Sequence, residues 1–437
     1  MVTSFASELI LLLTILHLTI LHLTILHLTR CDGMKIKTGT CHLAGGRLTI
    51  CAAAALSSLL SSTLAVAQPY TPDDAHQVVA NLSSAVVGLS RQLRAAESEQ
   101  RTTQSDQLIR TIVAAYSLAS STQEARAYGH VLTLLQQWPD SVGKPALIHL
   151  ISAAVLQHNH SFEQALTELD RVLADNPLDA QAHIIRAQIG LVTGNYALTQ
   201  HSCDAMRGVV SPAIHLNCQS QLDGVTGKAS QALNMVVTML DDNPRLMLSE
   251  ATELMITAAV LAHRLEQGSL AEKYYLSVLL RSPQHLYTLV HYGNFLLEHS
   301  RPQELIRLIE MVPEDMRSTE INVLLAEALL ATGSDRAVSI IEQLDSDFER
   351  AFLRADALPH KEYARYTLTV VNKPEAALQS AKNNWQEQKE PSDALLLARA
   401  AAAVSDHQVL RELRGWISDR GTEYGQLDAI FAGQGIL

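Results

Sequence analysis

Only three places in this 437-residue sequence bring together residue types that could do chemistry. Cys203 and Cys218 lie at equal distances from the middle of the stretch Gly208 to Pro212. In a helical hairpin that symmetry sets them at one height on facing helices, where an exported chain would form a disulfide. The other reading is two buried free thiols, since unpaired cysteine is among the most buried residue types. A redox couple would need a C-x-x-C spacing, which is absent. His158-Asn159-His160 is the tightest histidine pair, but it falls between two helical stretches. Metal binding needs three or four converging ligands, and no H-E-x-x-H or Cys/His cluster supplies them. Gly224-Val225-Thr226-Gly227-Lys228 has the outline of a phosphate loop, yet Leu222 stands where the first glycine belongs and Ala229 where the metal-binding hydroxyl belongs. It reads as an interhelix turn. With no G-x-S-x-G, no Cys/His nucleophile pattern and no paired carboxylates in an identifiable pocket, the sequence predicts no catalytic residue, no metal and no cofactor.

The elements that would position such residues are helices. A chain this long exceeds the usual single core, and an array that adds core unit by unit fits it better than one globule. Aromatics are 5% and charged residues 18%, and strand-type alternation is hard to find beyond residue 68.

The front of the chain is a separate matter. Residues 13–29 repeat a five-residue unit, LTILH, which matches neither helical nor strand periodicity, although the apolar run is long enough to span a bilayer. Residues 1–33 are read as a repetitive leader outside the native protein, with a membrane anchor as the alternative. Residues 34–67 have the parts of a secretory signal: Lys35, Lys37 and Arg47, then an apolar stretch, then Ala65-Val66-Ala67 before Gln68. Ile50 ahead of Cys51 disfavours a lipid anchor. The mature chain is therefore expected to be exported, most simply to a periplasm, without a membrane span of its own. Residues 1–67 hold four basic and two acidic side chains, so 29 basic and 43 acidic remain, a formal charge of −14. That balance argues against nucleic acid, whose affinity depends on Lys and Arg, and against anionic membrane surfaces.

Residues 161–200 carry the organising pattern. Ala165 on one amphipathic segment is followed by Pro177 twelve residues later, and the next segment ends at Gly194-Asn195-Tyr196. Ala115, Ala127 and Pro139 form a similar set, as do Ala153, Ala165 and Pro177; looser copies hold Ala187, Gly194 and Thr199, then Ala232 and Pro244, then Ala259, Ala271 and Pro283, then Gly293, then Ala326 and Gly333. Small residues are required where two helices cross closely, and Pro cannot continue the helix before it. This order resembles the tetratricopeptide repeat (TPR) family. Two features depart from that family: His149 and His183 occupy its bulky aromatic position, and the prolines at 139, 177, 212, 244 and 283 are unevenly spaced. The resemblance implies an all-α, right-handed solenoid of antiparallel helix pairs. The expected organisation is an N-terminal helical segment over 68–104, repeats over 105–344, and degenerate repeats with a cap over 345–437.

In that family one side of each first helix lines a concave, partner-binding groove. Carried over, the lining positions are Gln181 and Gln188, Asn217 and Gln221, His263 and Arg264, then Tyr287 and Asn294. Members that clamp a C-terminal carboxylate use Lys and Arg where this chain has Ile184, Asn217 and Ile256, so that mode is disfavoured. Amides can instead hydrogen-bond the backbone of an extended segment; equally, they could merely solvate an exposed face. The resemblance thus implies a non-enzymatic adaptor for a protein or peptide partner in the cell envelope. The alternatives are a structural scaffold working through its ends or convex side, and a metal-handling protein using the scattered histidines.

Overall fold

The computed structural model describes residues 104–122, 125–139, 142–353 and 359–436, all within the unit Pro69–Leu437. The leader 1–33, the signal 34–67 and nearly all of the segment 68–104 lie outside the described residues. Among those residues there are nineteen α-helices and no strand.

The helices come as hairpins. They are α1 (Gln104–Thr122) with α2 (Ala125–Gln136), α3 (Ala146–His158) with α4 (Phe162–Asp175), and α5 (Ala180–Thr193) with α6 (Tyr196–Ala205). Next are α7 (Pro212–Asp223) with α8 (Ala229–Asp242), α9 (Leu248–Arg264) with α10 (Gly268–Leu279), and α11 (Leu286–Glu298) with α12 (Pro302–Glu310). The last pairs are α13 (Thr319–Ala331) with α14 (Ala337–Leu353), α15 (His360–Thr369) with α16 (Pro374–Glu387), and α17 (Pro391–Ala403) with α18 (His407–Arg420), before a final α19 (Gly425–Gly433). A boundary after residue 344 falls inside α14.

Two local features recur through the described hairpins. The first is the small residue at the crossing: Ala115 and Ala127, Ala153 and Ala165, and Ala259 and Ala271 are all essentially buried. In α5 and α6 the pair is Ala187 and Thr199, and the Thr199 hydroxyl is satisfied by donating to the Ala187 carbonyl at 3.1 Å. The second is a left-handed residue in the turn. His160, Gly194, Gly227, Glu266, Ser300, Gly333, Asn372 and Ser405 all have φ between 53° and 80°, and they recur 34, 33, 39, 34, 33, 39 and 33 residues apart. A left-handed residue lets the chain reverse within three residues, which brings the second helix back along the first. That rhythm carries the repeat through α18, well past the point where the alanine and proline pattern fades.

Apolar burial is correspondingly segmental. One core joins α7 to α14, smaller ones serve α1–α3 and α3–α5, and α15–α19 share a core whose members all lie between Ala364 and Ile436. The helix pairs, their small-residue crossings and their equivalent turns make this an all-α, TPR-like solenoid.

Candidate functional site

The positions expected to line a groove fall on the first helices α5, α7, α9 and α11. Gln181 and Gln188 lie two turns apart on α5, so they share a side of the helix, and both are exposed. On α7, Gln221 is half-buried and Asn217 accepts a hydrogen bond from the Thr257 hydroxyl of α9 at 2.7 Å. The amide of Asn217 thus ties neighbouring hairpins together.

Farther along, the face is already engaged by its own chain. His263 Nε2 lies 2.6 Å from a Glu298 carboxylate oxygen on α11, and its Nδ1 is 3.4 Å from the Tyr275 hydroxyl. Arg264, only 7% exposed, donates to the Gly224 carbonyl at 2.5 Å and to the Glu423 carbonyl at 3.0 Å. Burial pulls its guanidinium below the usual value, while Tyr424, Tyr196 and Glu423 oppose that shift. The Asn294 side-chain oxygen accepts from Arg365 on α15 at 2.5 Å, and Arg365 also makes a two-pronged pair with Glu327 at 2.6 and 2.7 Å.

Tyr287 exposes 52% of its surface, yet burial raises its phenol well above the ordinary range, and Glu390, Lys361, Glu253 and Glu320 all act on it. Its neighbour His291, with ring centroids 4.3 Å apart, is pushed down to about 3 by burial and then by Lys361. Lys361 is pulled down by burial but carried well above its usual value by Asp393, Glu390, Glu320 and Glu362. Its ammonium lies 3.1 Å from Asp393 and 3.6 Å from Glu390.

The C-terminal helices reach this face at the ends of the first helices. The Lys389 amide donates to the Val192 carbonyl at 2.6 Å, and the Gln388 side chain meets His160 at 3.1 Å. Thr422 donates to the Val225 carbonyl at 2.8 Å, the Ala229 amide donates to the Glu423 carboxylate at 2.8 Å, and Arg399 approaches Glu298 at 3.5 Å. Sequence reasoning missed this set, because no local pattern records a contact across about 100 to 230 positions. One mark was legible: Lys228 precedes α8, and a lysine cannot accept from the free amides of a helix N-terminus.

The remaining candidates have structural roles. Cys203 on α6 and Cys218 on α7 place their sulfurs at disulfide distance, with Cα atoms 5.8 Å apart. His158 stacks on Tyr128 with centroids 3.6 Å apart, whereas the His160 ring stacks on Phe162 and its Nδ1 lies 3.1 Å from the Gln388 amide nitrogen. Among the described residues no group of three His, Cys, Asp or Glu side chains could hold a metal ion, and no helix is long and apolar enough to cross a membrane. Gly224 to Lys228 form the turn between α7 and α8, with Lys228 Nζ 3.5 Å from Asp223.

No sequence-family profile matches the chain, and no curated protein does. Solved structures do resemble it. PilW, described as a type IV pilus biogenesis factor, is 16% identical over 49% of this chain and 98% of its own, with a TM-score of 0.38. A tetratricopeptide repeat protein from Parabacteroides merdae is 15% identical over 59% of this chain and 99% of its own, with a TM-score of 0.34. Human IFIT1, solved as a dimer with m7Gppp-AAAA, is 12% identical over 81% of this chain and 95% of its own, with a TM-score of 0.42. The structural likeness is to TPR-type helical-repeat proteins, and the chain's own hairpins and turns carry the fold assignment.

Proposed function

We propose that this chain is an exported, TPR-like adaptor that holds a protein or peptide partner in the cell envelope, most simply in the periplasm, without catalysis or a cofactor. The observation that carries the reading is the open part of the first-helix face. Gln181 and Gln188 are exposed on α5, and Gln221 lies half-buried on α7. Side-chain amides offer both a donor and an acceptor, which suits the backbone of an extended segment of any sequence. Export rests on the signal-like stretch 34–67 and the symmetric cysteines. The acidic balance and the lack of a basic stripe disfavour nucleic acid.

The test is a pull-down from envelope extract with the mature chain beginning at Gln68, followed by mass spectrometry, against a Gln181→Ala/Gln188→Ala variant. A partner retained by the parent and lost by the variant supports the adaptor. Terminal sequencing of the secreted form should find a start at or near Gln68, and recovery of the LTILH repeat in it would remove the export argument.

A second reading, a scaffold working through an edge, is favoured by the turns that join one hairpin to the next. Leu178, Met247, Leu248, Leu280 and Met311 all lie at such junctions and are 57–83% exposed. A partner that ignores the glutamine pair but is lost with Leu280→Ser would select it.

A further inference from the structure

Residues Gly421 to Tyr424 link α18 to α19, and they contact the seat formed by α7, α8 and α9. Gly421 and Gly227 meet backbone to backbone: a Cβ on Gly421 would stand 3.2 Å from the Gly227 Cα, and a Cβ on Gly227 would stand 3.3 Å from the Gly421 carbonyl. Thr422 donates to Val225, the carbonyl of Glu423 takes two nitrogens of Arg264, and Arg264 lies over the Tyr424 ring at 5.9 Å. The Glu423 carboxylate caps α8 at the Ala229 amide, where Lys228 supplies no side-chain cap. A foreign extended peptide would use the same groups: a small residue for close approach, main-chain carbonyls, and a carboxylate at a helix N-terminus.

At Gly421–Tyr424 the seam is held by hydrogen bonds. Apolar continuity lies elsewhere, where Tyr366 of α15 packs with Val323, Ala326, Leu344 and Phe348 of α13 and α14, and where Trp416 meets Tyr196. Cavities of about 420 and 390 Å³ flank the seam, both lined by Arg264, Glu266 and Tyr424. A short link held to its seat by hydrogen bonds and bordered by open space opens locally at a lower cost than the apolar cores on either side unfold.

We propose that Val225, Gly227, Ala229 and Arg264 form a peptide-docking subsite, occupied at rest by the chain's own Gly421–Tyr424. Release of that segment opens the subsite to an extended partner segment bearing a carboxylate. The proposal rests on the adaptor reading and names both the chemistry of its partner and the device that gates it.

The experiment uses the mature, full-length chain and a blocked synthetic peptide, DRGTEYGQ, which copies residues 419–426. In the parent protein, the Ala229 amide should exchange with deuterium faster than amides in the middle of α9. Equal protection, with opening only on global unfolding, would overturn the proposal without any variant. In a Thr422→Val/Glu423→Ala variant with unchanged helicity, Ala229 exchange should rise by roughly tenfold or more, the scale of one lost charge-assisted hydrogen bond. The peptide should bind that variant at least about tenfold more tightly than it binds the parent. Replacing the peptide's glutamate by glutamine should abolish the gain. Equal binding to both proteins, or binding to neither, would sink the idea. If the subsite behaves as described and no envelope partner depends on Gln181 and Gln188, the adaptor reading fails on its own. A partner captured equally by parent and variant would leave the adaptor standing and remove the gate.

Discussion

Cys203 and Cys218 stand with Cα atoms 5.8 Å apart, inside the span a disulfide requires, and they join the second helix of one hairpin to the first helix of the next. A bridge there fixes α6 against α7, and α7 is in turn tied to α9 by the Asn217–Thr257 hydrogen bond. The enclosed loop of 15 residues corresponds to roughly 3 kcal/mol in the chain-entropy estimate. Reduction should therefore lower the melting temperature and loosen α6 and α7 before the ends of the array. Alkylation of the unreduced mature protein followed by mass analysis checks it: two modified thiols would mean that no bridge exists.

Gly190 is a helical glycine fixed by the crossing of α5 and α6. A Cβ on it would lie 2.4 Å from the Thr199 hydroxyl oxygen and 2.9 Å from both the Asn195 carbonyl and the Thr199 amide. Removing the hydroxyl relieves only part of that clash, because two of the three atoms are backbone. Gly190→Ala should cost about 1–3 kcal/mol, the usual range for overpacking. Gly190→Ala combined with Thr199→Ala should recover less than half. Denaturant melts of the four proteins in this cycle decide the matter, and a neutral Gly190→Ala would contradict the packing described.

The fold was legible where geometry forces a residue type. Ala at 115, 127, 153, 165, 259 and 271 marks crossings that a larger side chain would prop open, and those positions are buried as the spacing requires. Legibility ends where geometry permits several types. The turns at Asn372 and Ser405 are left-handed like that at Gly194 without using glycine, and so the hairpins of the tail faded from view. Pro374 and Pro391 add to this by opening helices, whereas the earlier prolines at 139, 177 and 244 follow them. The groove positions were readable as addresses on first helices. Their availability was not, since the reach of Glu423 to Ala229, across 194 positions, is a tertiary fact without a local trace.

Non-glycine residues in those turns carry a cost that sequence design can remove. Ser300 sits at φ 56° between α11 and α12, where an L-residue pays roughly 1 kcal/mol relative to glycine. Ser300→Gly should raise stability by about 0.5–1 kcal/mol, less the extra freedom it gives the unfolded chain. A chemical-denaturation midpoint that falls would show that the serine side chain contributes more than the turn strain removes.

Arg365 links α15 to both α11 and α13 through Asn294 and Glu327. Glu327 is 11% exposed at its side chain, so Arg365→Met would strand a largely buried carboxylate. The expected loss is about 3 kcal/mol, in line with breaking one half of a buried pair. Arg365→Met with Glu327→Leu should restore most of it, because the pair as a whole is worth far less than its broken half. Equal melting curves for the single and double variants would mean that the pair is effectively solvated.

Stability should also fall on mild acidification, and His158 sets the window. Burial holds its imidazole down at about 4, from an ordinary 6.5, with His160 pushing the same way, while the ring stacks on Tyr128. A histidine that is neutral in the fold and protonated in the unfolded chain favours the fold fully only above the unfolded pKa. As pH drops from 6.5 toward 4, the unfolded state takes up a proton that the native state refuses, and stability declines throughout that interval. The shift corresponds to at most about 3 kcal/mol, and less where solvent reaches the ring. His158→Phe keeps an aromatic ring over Tyr128 and removes the titration. Its melting temperature should track the parent's at pH 7.5 and exceed it progressively between pH 6 and 4.5, a difference that cancels the background of titrating carboxylates common to both. Parallel curves across that range would show that His158 is protonated in the native protein and that the stacking does not exclude the charge.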